Sequence, residues 1–483
     1  MQVVIRQLQC LSPVQLAFLG SLLLSWVAIF GTVTIGKDGA FYIDIAQTFL
    51  DQDAAAAFQL FNWPWFSFLL GATHWLTGIP LESCAYLWCA LFMAGTCALL
   101  VDCVQQRLPT AGYWAVLVVL AMPSFNTFRS DIIRELGFWF FSTLALWLAL
   151  AWWTHGGWLR ALAIQLAVIA AALFRLEAIM LSGALTFWLL PGLGCRAGWL
   201  RLLQLNALPL LCGILALGVL AGMSGASQGR VGHYLMLLDP RQIVGAFHEL
   251  SSQFAGSLKA KYSRDDAGLI IFFGLLAAVL IKFIKLLGPF ALPFLSGGSW
   301  RMVQTYRQQF APFAWAWGGY LAVLLVFFIH EQFINSRYLS FLDLLVVPLA
   351  VLALVLFAER FPRMGKAVVV LALLVMLDNV ISLGVKKTHY IEAGNWLAAH
   401  VERTDAIYYD DSRIAYYAGW GYPRQSVSRD QAMSPAHAAQ YRYFLIEAEV
   451  DEPWLQGWLN QQHKRVLAQF ANAKGDTVLA VGE

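Results

Sequence analysis

Carboxylates that can take a proton and guanidinium groups that can hold a phosphate recur in this chain at the ends of long apolar runs. Asp38 stands in GKDGAFYIDIAQTFLDQDAAAAFQLFNWP, from Gly36 to Pro64, beside Lys37, Tyr42, Asp44, Asp51 and Asp53 and directly behind the first apolar run. A second stretch, MPSFNTFRSDIIRELGFWFF, puts Arg129, Asp131, Arg134 and Glu135 ahead of another run. In AALFRLEAIM, Arg175 and Glu177 interrupt apolar sequence, and FFIHEQFINSRYLSFLDLL carries His330, Glu331, Arg337 and Tyr338 between two runs. An ionisable residue at the lip of a membrane span is costly unless it is used. A positioned carboxylate is a general base for a hydroxyl, and a guanidinium fork matches phosphate in a bidentate fashion. Together they would serve a transfer in which a hydroxyl loses its proton and a phosphate departs.

Each stretch also has a structural reading. Asp38, before Gly-Ala-Phe, is a good helix N-cap. Ser130 would cap the helix that follows it, Asp131 would complement that helix's dipole, and the arginines would touch lipid headgroups. Arg175 and Glu177 could pair with charges elsewhere in the bundle, and His330 with a hydrogen-bond partner rather than a metal.

The elements that must position these residues are membrane helices. The chain has 483 residues, of which 59% are hydrophobic and 13% charged, with a mean hydropathy of +0.63, far from a soluble globular composition. Aromatic residues such as Trp152, Trp153 and Trp199 sit at span ends, where amphipathic rings favour the headgroup layer. A net charge of +3, scattered over loops, gives nucleic-acid binding no support. The seven cysteines show no CxxC or His/Cys metal pattern and read as small packing residues, with none after Cys212. No P-loop or dinucleotide fingerprint follows a strand, so a soluble nucleotide donor is not expected.

At roughly 20 apolar residues per span, about eleven spans are expected. They run approximately over 15–35, 82–104, 111–125, 136–153, 158–174, 178–193, 202–223, 268–287, 310–329, 339–357 and 367–385. The segment 63–78 is short and holds Pro64, Gly71, Thr73 and His74. If it lies flat outside, Arg6, Arg107, Arg160, Arg196, Arg201, Lys282, Lys285, Arg301, Arg307, Arg360, Arg363 and Lys366 fall in interior loops against Glu359, as the positive-inside rule asks. The first loop, 124–135, 224–267, 330–338 and the tail then face outward. In the first loop Phe41, Ile45 and Phe49 form one apolar stripe, expected on a helix lying at the membrane surface.

The tail changes character. Its mixed charge and alternation fit a small α/β domain with helices near 391–402, from Ser412 and near 453–461, strands at 406–409 and 443–446, and a hairpin around Lys474-Gly475-Asp476. The expected organisation is a transmembrane domain over 1–387, with interfacial helices in a first extracytoplasmic loop over 36–81, and a soluble extracytoplasmic α/β domain over 388–483.

The acidic loop with Asp38 and Tyr42, the Trp63-Pro64 entry to a flat helix, the Arg/Asp second loop, FRLEA and RYLSFLDLL together resemble the C-type (GT-C) membrane glycosyltransferase superfamily. The pattern is similar to the bacterial aminoarabinose transferases of lipid A and to the protein O-mannosyltransferases, over roughly residues 15–385. The resemblance implies that Asp38 is the catalytic acid of the first loop and that Asp131 assists. Many members carry two adjacent acids in the first loop, whereas Gly39 follows Asp38 here, which leaves a divalent metal open.

The residues and the resemblance together imply transfer of a sugar from a polyprenyl-phosphate donor to an extracytoplasmic lipid, glycan or protein. Lys37, Tyr42, Arg129, Arg134, Arg175, Glu177, His330, Arg337 and Tyr338 are the candidate substrate-binding residues. The expected home is the bacterial inner membrane among membrane lipids, with the tail periplasmic. The rivals are a flippase, which needs alternating-access halves that the sequence does not show, and a non-catalytic scaffold. The topology makes the first prediction: a reporter fused after Val385 is active only outside the cytoplasm, and cytoplasmic activity would invert the outward loops.

Overall fold

The long apolar runs fold as helices because, in hydrocarbon, each backbone N–H and C=O must be satisfied within its own segment. The computed structural model describes residues 11–222, 239–296, 299–381, 384–424 and 427–483. Arg6, Cys10 and residues 224–238 of the expected outward loop lie outside that set. The helices of the bundle and first loop are α1 (Pro13–Phe30), α2 (Lys37–Asp51), α3 (Ala54–Leu60), α4 (Trp65–Thr77), α5 (Leu81–Arg107), α6 (Gly112–Ala121), α7 (Glu135–His155), α8 (Trp158–Phe174), α9 (Met180–Leu189) and α10 (Arg196–Gly222). They continue with α11 (Pro240–Ser257), α12 (Ala267–Leu287), α13 (Ser299–Gln309), α14 (Ala311–Glu331), α15 (Ser336–Arg360) and α16 (Pro362–Val380).

Among the described residues, seven helices are long and apolar enough to cross a membrane, and 109–121, 158–174 and 176–192 are shorter apolar helices. The chain is a multi-pass membrane protein. The ambiguous segment forms α4, 13 residues long, or about 20 Å at 1.5 Å per residue, short of a hydrocarbon core. Lys282 belongs to the expected inside-positive set. Its Nζ donates to the carbonyl of Ile334 at 2.9 Å, beside the 330–338 turn assigned to the outside, because a lysine stem can run along an apolar helix to a distant polar group.

The described chain forms two compact units. The first holds residues up to Trp26, Trp88–Arg129 and Arg134–Val380. Its core includes Trp139, Trp152, Phe138, Phe290, Phe313 and Phe341. Close approach of α7 and α8 depends on Gly137: a Cβ there would lie 2.3 Å from the Phe174 ring. That contact keeps Glu135, which opens α7, level with Arg175, which follows α8.

The second unit joins Val27–Leu87, Ser130–Ile133 and Ile381–Glu483. Its tail contains α17 (His389–His400), β1 (Ile407–Tyr409), α18 (Arg413–Tyr417), β2 (Tyr443–Glu447), α19 (Pro453–Gln462), β3 (Arg465–Ala471) and β4 (Thr477–Gly482). The sheet order is β1-β2-β4-β3, with β1 parallel to β2 and β4 antiparallel to both β2 and β3. Period-two alternation fills both faces. Phe444, Ile446, Leu479 and Val481 pack with Leu455 and Leu459 of α19, whereas Leu445, Val478 and Ala480 pack with Tyr390, Leu397 and Ile414 of α17 and α18. Every tail element expected from the sequence is present, with ends shifted by a residue or two.

Overpacking at Gly137 should cost about 1–3 kcal/mol, so Gly137→Ala lowers the melting temperature in detergent. Gly183, inside α9, has nothing within 4 Å of an added Cβ, and Gly183→Ala should gain about 0.5–1 kcal/mol from helix propensity. Equal melting of the two variants would remove Gly137 from the packing argument.

Candidate active site

In the second unit the candidate base sits on the first turn of α2. Gly36 is the N-cap, with no side-chain cap bond. Asp38, one residue into the helix, is therefore not the cap that its sequence context allows. It is half-buried among first-turn amides that have no intrahelical acceptor, in a field that favours a carboxylate. Asp53 is the true cap of this region, its Oδ1 accepting from Ala56 N at 2.7 Å.

Gly39 brings the two candidate acids' segments together. A Cβ at Gly39 would lie 2.8 Å from Ile35 Cγ1 and 3.0 Å from Ile132 Cβ. Asp38 adjoins that contact on one side and Asp131 on the other. No side chain fits at 39 without displacing Ile35 or Ile132. Ser130 does not cap the next helix, which starts at Glu135 behind Arg134. Asp131 is half-buried in the connection.

Tyr42 is buried and meets the rings of Phe66 at 5.5 Å and Phe61 at 6.3 Å. Lys37 is more than half exposed, and its Nζ lies 3.2 Å from Asp411 Oδ2. Asp411 is also gripped by Arg413, at 3.0 Å from Nε and 2.7 Å from Nη2. Burial pushes the Asp411 carboxyl up, but the Arg413 hydrogen bonds and charge outweigh it and hold the group below the usual carboxylate range. Asp44 goes the other way. Burial raises it despite a backbone bond from Tyr422 and the nearby Arg424 and Arg403. Tyr422 packs its ring 5.9 Å from Phe41, and burial, with the negative charges of Asp411 and Asp38, pushes its phenol up to about 12. Asp411, Arg413, Tyr417 and Tyr422 were not singled out as site residues from sequence. Their signal was the density of charge and aromatics in YYDDSRIAYYAGWGYPR.

In the first unit, Arg175 is consumed by protein partners. Its Nη1 donates to Glu135 Oε1 at 2.9 Å, its Nη2 to Glu177 Oε1 at 2.6 Å, and its guanidinium stacks on the Tyr338 ring at 4.3 Å. Arg134, half-buried, lies within electrostatic reach of Glu177. Arg129 is 1% exposed. Its Nε donates to Asn126 Oδ1 at 2.6 Å, and its Nη1 to Ser21 O, Ser21 Oγ and Ser25 Oγ at 3.0, 2.8 and 3.2 Å. Both guanidinium groups expected to hold a phosphate are thus hydrogen-bonded to protein groups, because a guanidinium surrounded by apolar helices takes the nearest acceptors. The same holds for Glu177, which pairs with Arg175 instead of facing a ligand.

Arg337 is half-buried near the start of α15, its N–H donating to the N-cap Asn335 at 3.2 Å. His330 lies in the last turn of α14. Among the described residues no three His, Cys, Asp or Glu side chains form a metal-sized group.

The crowding at Gly39 makes a prediction. Gly39→Asp, which restores the two-acid pattern, should destabilise the second unit by about 1–3 kcal/mol and lower function. Gly36→Ala meets nothing within 4 Å and should be milder. Native melting of Gly39→Asp would overturn the packing account of Gly39.

No family model matches the chain, and no curated protein matches it in sequence. Solved structures do match. The crystal structure of ArnT from Cupriavidus metallidurans bound to undecaprenyl phosphate is similar with a TM-score of 0.59 at 13% identity, covering 95% of this chain and 96% of that one. The apo crystal structure of ArnT from the same organism gives a TM-score of 0.57 at 13% identity and the same coverage. The chain has the fold of these two ArnT structures from end to end.

Proposed function

We propose that the chain is an integral membrane glycosyltransferase that moves a sugar from a polyprenyl-phosphate donor to an extracytoplasmic acceptor. The observation that carries this reading is the end-to-end similarity to a fold that, in ArnT, is bound to undecaprenyl phosphate. The placement of Asp38 and Asp131 on either side of the Gly39–Ile132 contact supports it. An acceptor hydroxyl oxygen attacks the anomeric carbon, the bond from that carbon to the phosphate oxygen breaks, and polyprenyl phosphate leaves with the electron pair. Asp38 takes the hydroxyl proton. Asp131 orients the acceptor or holds the second acidic position. Arg337 is the guanidinium proposed for the donor phosphate, with Arg134, Lys37, Tyr42, His330 and Tyr338 as further binding residues. The acceptor is a surface lipid of the lipid A class, another glycan or a protein, and the site faces the periplasm of a bacterial inner membrane, with the tail on the same side.

Asp38→Asn keeps the shape but removes the proton acceptor, so the rate of transfer should fall about 10²- to 10⁴-fold. Stability should move by less than about 1 kcal/mol, because the loss is only the carboxylate's interaction with the helix dipole. Arg337→Lys replaces a planar fork by a point charge and should weaken donor retention as well as turnover. Asp131→Asn should fall between the two. The measurements are release of polyprenyl phosphate and melting on the same purified variants, and a fully active Asp38→Asn would remove Asp38 from the mechanism.

A further inference from the structure

Ile35 stands three residues ahead of Asp38 and is 2% exposed. Both of its backbone polar groups are held by the tail. Its N–H donates to Tyr417 Oη at 2.7 Å, and its carbonyl accepts from Arg413 Nη1 at 3.3 Å. Arg413 is itself fixed by its two bonds to Asp411 and by the Tyr390 ring 4.2 Å from its guanidinium. Asp411 in turn holds Lys37, the residue directly before Asp38. Residues 35 and 37 are thus gripped from the tail on either side of Gly36, and Gly36 is an N-cap with no side chain to fix the helix start.

An uncapped first turn leaves its direction to be set from elsewhere. Apolar packing alone could bury Ile35. Here polar and charged side chains instead bind its backbone, and such charge-assisted, hydrogen-bonded contacts define distance and angle more narrowly than apolar surface does. The tail also reaches further along the same helix. Tyr422 packs on Phe41, one turn beyond Asp38, and its backbone bonds to Asp44.

We infer that Asp411, Arg413 and Tyr417 are positioning residues for Asp38, so that the soluble tail sets the geometry of the catalytic turn instead of merely covering the site. The inference rests on the reading of Asp38 as the base. Active groups must be held within about 0.5 Å of the productive geometry, and a misplacement of about 1 Å can cost about 10²-fold in rate.

The test uses the full chain in detergent, with a total bacterial membrane lipid extract as donor source and lipopolysaccharide as acceptor. Tyr417→Phe removes one hydroxyl and keeps the ring; Arg413→Lys keeps the charge beside Asp411 but loses the reach to Ile35. Both should speed amide hydrogen exchange in residues 33–41, leave exchange in β2 and β4 unchanged, and slow polyprenyl phosphate release about 10- to 100-fold. In an Asp38→Asn background, Tyr417→Phe should cause no further loss, because the group it positions is gone. A multiplicative loss in that background would overturn the proposal, as would native exchange and native rates in both variants. Should Arg413→Lys fail to fold, seen as lost protection in β2 and β4, Tyr417→Phe decides. An inactive Asp38→Asn beside fully active Tyr417→Phe and Arg413→Lys sinks the positioning role alone, whereas an active Asp38→Asn sinks the base and the positioning role together.

Discussion

Arg175 lies between Glu135 and Glu177, at 2.9 and 2.6 Å, with its guanidinium face on Tyr338. A charge taken out of water costs several kcal/mol unless partners replace its hydration, and that requirement organises the polar interior of the bundle. It ties the start of α7 to the end of α8, and the ring that completes the site comes from the first turn of α15. Arg129 meets that demand in part with neutral groups, two serines of α1 and Asn126 on its Nε and Nη1, while its Nη2 is buried without a hydrogen-bond partner. Removing one partner of such a buried pair costs about 3–5 kcal/mol because the other charge is left behind. Residues that look alike in sequence are sorted by this rule. Arg129, Arg175, Glu135 and Glu177 are buried or nearly so among protein partners, while Asp38, Asp131, Arg134, His330 and Arg337 are half-buried.

The same constraint works outside the membrane spans. Asp411 is almost wholly buried and is held by Arg413 and Lys37. Its folded pKa lies below the ordinary carboxylate value, so its stabilising contribution is present above the unfolded pKa and is lost as pH falls through the folded one. Asp44, raised by burial, opposes that trend, since its protonated form is favoured in the folded state. Acid therefore weakens the link through Asp411 while easing the burial of Asp44. The sheet gives this network a rigid base, because β4 is buried along its whole length and both faces are packed.

Composition, hydrophobic periodicity and turn chemistry carried the fold. Long apolar runs announced the helices, and mixed charge with short strand runs announced a small α/β tail, because burial leaves a local and repeating mark on sequence. The first-loop stripe, expected at a membrane surface, packs on protein instead: Ile45 is fully buried, and Phe49 meets the Phe68 ring at 4.7 Å. Motif order added the likeness to the C-type superfamily.

What only the tertiary structure decided were the partners of polar groups. Whether Asp38 caps a helix depended on where the helix began, and two residues of difference made Gly36 the cap. Whether Arg129 and Arg175 were open to a ligand depended on residues 40 to 108 positions away. The grip of Arg413 and Tyr417 on Ile35 spans nearly 380 positions. Hydrogen bonds and ion pairs act over a few ångströms and are indifferent to chain separation, so no local pattern encodes them. The sequence by itself determined which segments are helix, strand and apolar; the packing decided which polar groups meet which.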